Sequence, residues 1–173
     1  MNFSIEKSIQ ILERTPGVLR TLLKSISPDW TSHNEGEGTW SVYDIIGHLI
    51  HGEKTDWIPR LDIILSAKED KRFKVFDRFA QFEESKGKSL PQLLEEFSLL
   101  RQKNIEYLRS QQITREQLDL TGIHPAFGNV TLAQLLATWT AHDLNHLAQL
   151  SRVMAKQYKE AVGPWTQYLK IMD

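Results

Sequence analysis

The sequence predicts an all-α fold: a four-helix bundle with a long packed connection between its second and third helices, forming one domain over residues 1–173. Three observations carry this. Four long segments place apolar residues at i, i+3 and i+4 spacing, the mark of amphipathic helices. Three of them open on capping-box sequences, Ser41-x-x-Asp44, Ser89-x-x-Gln92 and Thr131-x-x-Gln134. No stretch alternates convincingly enough to be a strand. Four amphipathic helices bury their stripes most simply against one another.

The first helical segment runs from about Ser4 to Ser25 on Ile5, Ile9, Leu12, Leu19, Leu22 and Leu23. Pro16 lies inside it and cannot donate to the Leu12 carbonyl, so a kink is expected there. A polar stretch with Gly36 and Gly38 follows. Ser41 caps the second helix, with Trp40 placed to staple onto Ile45. That helix extends to about Leu65, with a distortion expected before Pro59. From Ser66 to Lys88 the pattern breaks, although Phe73, Phe76, Phe79 and Phe82 suggest a connection packed onto the bundle. The third helix begins after Ser89 and carries Leu93, Leu94, Phe97, Leu100, Ile105 and Leu108. A turn at Thr114-x-x-Gln117 and a loop at 122–129 lead to the fourth helix, Thr131 to about Tyr158. Gly163-Pro164 ends the helical pattern. The relative directions of the helices stay open.

Composition narrows the function classes. With Lys+Arg 21 against Asp+Glu 22 the chain is nearly neutral, so neither nucleic acid nor an anionic membrane is expected as partner. The N-terminus does not read as a signal peptide and no apolar run suits a bilayer; a cytoplasmic location is the expectation. The absence of cysteine removes disulfides, thiol catalysis and thiolate ligands. Any metal must be held by nitrogen and oxygen.

The candidate site is the run Ala141-His142-Asp143-Leu144-Asn145-His146. Residues four apart share a helix face, and two neutral imidazoles so placed can grip one divalent ion if a third ligand arrives. On a helical wheel both histidines, with Asp143, fall within or at the edge of the stripe formed by Leu132, Leu135, Leu136, Trp139, Leu147, Leu150, Val153 and Met154. His48, at the margin of the second helix's stripe, is the candidate third ligand; His51, one turn on, is its rival. Gly52 weakens that helix, which suggests a bulky neighbour. The alternative is a set of half-buried histidines bonded to backbone or carboxylate. His33 and His124 lie in loops and read as bystanders, although His124-Pro125 could line a site mouth. Glu53 and Asp56 share a sector with Arg60, either as an ion-pair network or, for Glu53, as a fourth ligand or general base. Gln149 and Asn145 could fix imidazole tautomers. Because imidazole must be neutral to ligate, metal affinity is expected to fall below about pH 6.5.

With these residues in hand, the chain resembles the DinB/YfiT-like superfamily of metal-dependent enzymes. The resemblance runs over nearly the whole chain. It rests on Thr15-Pro16-Gly17, on the segment from Trp40 to Glu53, on Asp56-Trp57-Ile58-Pro59-Arg60, on His124-Pro125-Ala126-Phe127-Gly128, and on the segment from His142 to Gln149. It implies a bundle of up-down-down-up connectivity, a divalent metal (zinc or nickel) on His48, His142 and His146, and a homodimer. It also implies activity on a small molecule: hydrolysis, or transfer of a low-molecular-weight thiol. A non-catalytic, stress-associated metal-binding module is the alternative.

Overall fold

A computed structural model describes residues 3–173. The first helical segment is broken into α1, Ile5–Leu12, and α2, Thr15–Leu23, at the position where Pro16 interrupts the backbone ladder. A single turn, α3 (Asp29–Ser32), precedes α4, Val42–Thr55. The expected distortion before Pro59 is a break at Asp56, after which α5 runs Trp57–Leu65. The connection holds a short α6, Ala80–Ser85, and α7 spans Leu90–Ser110. The last long helix, α8, is Leu132–Lys156, followed by the short α9, Lys159–Val162. All three capping boxes form: Ser41 with Asp44, Ser89 with Gln92 and Thr131 with Gln134 each exchange both bonds.

The loop expected at 122–129 is structured instead. Thr121–His124 (β1) and Gly128–Thr131 (β2) pair as an antiparallel hairpin where the sequence shows only loop. Each strand is four residues long, too short to display a period of two. The three-residue connection Pro125-Ala126-Phe127 closes on Gly128, whose φ of +71° a side chain would disfavour. The connection after α5 docks on this hairpin, with Phe73 N–H donating to the Ile123 carbonyl and Ile123 N–H to that of Lys71. Gly122 permits the docking: a Cβ there would stand 2.3 Å from the Phe73 ring. Packing of the connection is uneven. Phe73 is buried and Phe76 half-buried, but Phe79 and Phe82 are exposed, contrary to expectation.

Side-chain pairs fix the helix directions. Glu13 meets Arg109 and Arg20 meets Glu95, so the α1–α2 pair runs against α7. Tyr43 bonds the Lys88 carbonyl, Glu53 meets Arg101 and Asp62 meets Tyr107, so α4–α5 runs with α7. Glu53 accepts from Trp139 while His48 faces His142, so α8 runs against α4. The order is up-down-down-up, and the parallel α4 and α7 explain why so long a connection is needed between them.

Two apolar clusters fill the bundle. One gathers Ile9, Leu12, Trp57, Leu61, Ile105 and Trp139; the other gathers Leu19, Ile46, Leu93, Phe97 and Leu150. In α4, α7 and α8 a buried polar residue stands between the two clusters (Glu53, Arg101 and Asp143), and these three meet in one layer. The Arg101 guanidinium bonds both oxygens of Asp143, at 2.5 and 2.9 Å, and Oε1 of Glu53 at 2.8 Å. It also donates to the Leu12 carbonyl at 2.9 Å, the same acceptor that Pro16 cannot use. One side chain therefore ties α1, α4, α7 and α8 together. Asn104 and Trp139 complete the bonding of Glu53, so the carboxylates are buried but satisfied.

Candidate metal centre

The polar layer continues into the imidazole cluster. His48 comes from the middle of α4, and His142 and His146 from adjacent turns of α8. Because the two helices are antiparallel, these residues reach the same height. The Nε2 atom of His142 lies 3.0 Å from that of His48 and 3.1 Å from that of His146. Among the described residues this is the one group of three such side chains whose ligand atoms all lie within 4.8 Å of one another.

The outer nitrogens explain why the inner ones converge. Nδ1 of His48 donates to Gln81 Oε1 at 3.1 Å, and Nδ1 of His146 donates to Gln149 Oε1 at 2.7 Å. Each bond places that ring's proton outward and leaves the Nε2 lone pair facing inward. The Nδ1 atom of His142 is buried without a partner. At most one proton, on His142, is then available to hold three inward lone pairs together. A divalent ion satisfies all three. Nitrogens at about 2.0–2.1 Å from one ion stand roughly 3.0–3.5 Å apart, which matches the two closest separations. The donor set fits a divalent cation.

Aromatic rings close the surroundings. Trp40 packs on the cluster that contains Ile45, as the staple requires, and its ring also lies 4.8 Å from that of His48. Phe76 meets His48 edge-on at 5.5 Å, and Trp57 meets His142 at 5.1 Å. Trp57 is the bulky neighbour of Gly52, its Nε1 standing 3.4 Å from where a Cβ would be. A cleft of about 550 Å³ opens beside His48 and His142, lined also by Trp57, Asp56, Arg60 and the hairpin residues His124 and Phe127. His124 thus does line the mouth.

The other expected participants sort differently. His51 is buried but bonds Glu84 and stays out of the cluster. His33 bonds the Asp29 carbonyl in an exposed loop. Glu53 is consumed by Arg101, Asn104 and Trp139, so it is neither a fourth ligand nor a base. The expected Arg60 network splits: Asp56 keeps Arg60 at 2.5 Å, while Glu53 belongs to Arg101. Gln149 holds a tautomer, whereas Asn145 is exposed on α8. Sequence reasoning missed Arg101 and Gln81. Arg101 was accessible in principle, since it lies one turn after Phe97 and one before Ile105 in the apolar stripe. Gln81 lies in the patternless connection and gave no signal.

Burial, reinforced by the His146 ring, holds the His48 imidazole down to about 3, and burial with both neighbours holds His142 to about 2. His146 is also lowered, chiefly by burial. The unfolded chain takes up these protons below about pH 6.5, and the folded chain only near pH 3. Between those limits the unfolded state holds more protons. The metal-free protein should therefore lose stability as pH falls through that window. Urea midpoints at pH 7 and pH 4.5 measure it; a His142→Leu variant should show a smaller drop, and an equal drop in both proteins would contradict the burial of neutral rings.

A helical bundle of this connectivity with a three-imidazole cluster between α4 and α8 defines a class, and comparison with known proteins gives the family. The model of the DinB superfamily matches residues 11–150. The chain belongs to the DinB superfamily. Among solved structures it is similar to YfiT from Bacillus subtilis, described as a probable metal-dependent hydrolase with an unusual four-helix bundle topology. The identity is 21%, over 88% of this chain and 86% of that one, with a TM-score of 0.73. That likeness shows the shared fold. No curated protein matches. Among the described residues no helix is long and apolar enough to cross a membrane.

Proposed function

We propose that this chain is a metal-dependent enzyme in which His48, His142 and His146 hold one divalent ion, zinc or nickel, beside a cleft that takes a small molecule. The observation that carries the reading is the convergence of three Nε2 atoms whose rings are aimed by Gln81 and Gln149. The similarity to a bundle described as a probable metal-dependent hydrolase supports hydrolysis as the reaction.

When bound, the ion supplies Lewis acidity, which favours the deprotonated form of a water or thiol entering the cleft. The chain's own residues do the rest. Gln81 and Gln149 hold the rings in their ligating tautomers. Trp40, Trp57 and Phe76 exclude water around the imidazoles. Asp56 is the carboxylate that lines the cleft; burial raises it above its ordinary range even against Arg60. Its Oδ1 faces Arg60, which leaves Oδ2 to take a proton. Asp56 thus replaces Glu53 as the candidate base. Transfer of a low-molecular-weight thiol is the second reading. It is favoured by the chain's lack of cysteine, since no protein thiolate competes with a cosubstrate thiol for the ion.

The low proton affinity of the buried rings alters the expected pH dependence of metal binding. Protons do not compete at His48 or His142 until far below pH 6.5. Metal affinity in the folded protein is therefore expected to fall at a lower pH than it would for exposed imidazoles.

Metal-free protein, screened with ester and amide substrates and with electrophiles plus bacillithiol, mycothiol or glutathione, tests the reading. Turnover should appear only after zinc or nickel is added. Turnover without thiol identifies the hydrolase, and a strict thiol requirement identifies the transferase. Metal binding with no turnover in either screen would contradict an enzyme and leave the metal-binding module.

A further inference from the structure

The cleft wall beyond the imidazoles carries its own recognition chemistry. Arg60 enters the cleft from α5 with its side chain only 11% exposed. One nitrogen of its guanidinium faces Asp56 Oδ1 at 2.5 Å; among the described residues no other acceptor is bonded to it. The Arg60 Cζ sits over the Phe73 ring, 5.2 Å from its centre. A planar guanidinium held by one edge presents its remaining N–H groups in a geometry suited to two oxygens of one anion.

His124 adds a second donor. Its Nδ1 accepts from the Ala126 amide at 3.2 Å, so its proton sits on Nε2. Stacking on Phe127, with ring centres 4.5 Å apart, holds that ring at the cleft. Arg78, exposed at the rim, contributes a further positive charge. The cleft thus sets two arginines against a single carboxylate, and that carboxylate is already engaged with Arg60. Trp57, Phe76 and Phe127 supply apolar surface in the same cleft.

We infer that the substrate is a small molecule bearing an oxyanion, carboxylate or phosphate, which Arg60 and His124 bind while the aromatic wall carries its apolar part toward His48 and His142. The inference rests on the function proposed above for the direction in which the substrate lies. The anion subsite itself involves none of the three histidines, and so it can be tested separately.

The test uses chelator-treated, metal-free protein titrated with benzoate, phenyl phosphate and the neutral isostere benzamide, followed through the fluorescence of the cleft tryptophans. At least one anion should bind about tenfold or more tightly than benzamide, the scale of a hydrogen bond to a charged group. The better of the two names the oxyanion class. Arg60→Gln should erase the preference, with zinc stoichiometry equal to wild type. His124→Ala, on the exposed hairpin, should reduce it roughly threefold, as for one lost hydrogen bond, and it provides a readout should the Arg60 variant fold poorly. Equal affinity for benzoate, phenyl phosphate and benzamide overturns the inference. So does a preference that survives Arg60→Gln, or one that appears only when metal is present. A wild-type protein that binds no metal yet prefers the anion in an Arg60-dependent way would overturn the metal reading and leave this subsite standing.

Discussion

Replacing Arg101 with methionine should destabilise the protein by about 3–5 kcal/mol, the range for breaking a buried ion pair on one side. For a chain of this length that corresponds to a fall in melting temperature on the order of 10 °C. The size of the effect follows from what is left behind. Glu53 and Asp143 are both fully buried, and both direct oxygens at this guanidinium. Without it two carboxylates face each other in an apolar interior, and the Leu12 carbonyl loses its donor next to Pro16. The cost therefore comes mainly from stranded groups rather than from a large net gain of the intact network. A triple variant, Arg101→Met with Glu53→Gln and Asp143→Asn, distinguishes the two accounts. It should recover most of the lost stability in thermal and urea melts. A triple variant as unstable as the single one would show that the charged layer itself stabilises the bundle.

Zinc added to the metal-free protein should raise its melting temperature, and His142→Ala should abolish the rise. An ion that binds only the folded state stabilises by mass action, about 4 kcal/mol at a thousandfold excess over its dissociation constant. His142 is the decisive residue because its Nε2 lies close to both partners, and because its ring has no outward hydrogen bond to give it another role. In the metal-free state the three inward nitrogens are poorly reconciled. Loss of His142 should therefore weaken the metal-free protein far less than it weakens the loaded one. Thermal melts of both proteins with and without zinc check this. An undiminished zinc-induced rise in the variant would exclude His142 as a ligand.

Much of this arrangement is written locally in the sequence. The boxes at Ser41, Ser89 and Thr131 place the helix starts because capping depends on residues three apart. Pro16 marks its break because the missing donor is a property of one residue. The His142/His146 pair is visible because residues four apart share a face. What was not legible depends on distant segments. The direction of α7 relative to α4 is set by packing across the bundle, so no window of sequence contains it. The hairpin at 121–131 forms from two strands too short for a pattern, steadied by residues 71–73 from the connection. Arg101 sits in an apolar stripe, where a single long cation resembles a surface residue until its two carboxylates are seen around it. Glu53 shares a helical sector with Arg60 in the sequence, but the break at Asp56 separates them and α7 supplies its partner.

The same nonlocality shaped the site. His48 and His51 are one turn apart and equally plausible from spacing. The choice between them is made by α6, whose Gln81 takes the outward nitrogen of His48 while Glu84 takes that of His51. A short helix in the least patterned part of the chain thus decides which imidazole joins the pair on α8.

The central claim is that three side chains share one ion. Elemental analysis of zinc-loaded, desalted wild-type and His142→Ala protein tests it most directly. One equivalent per chain in the wild type and essentially none in the variant is the expected result. A variant that retains a full equivalent, or a wild type that retains none, would contradict it.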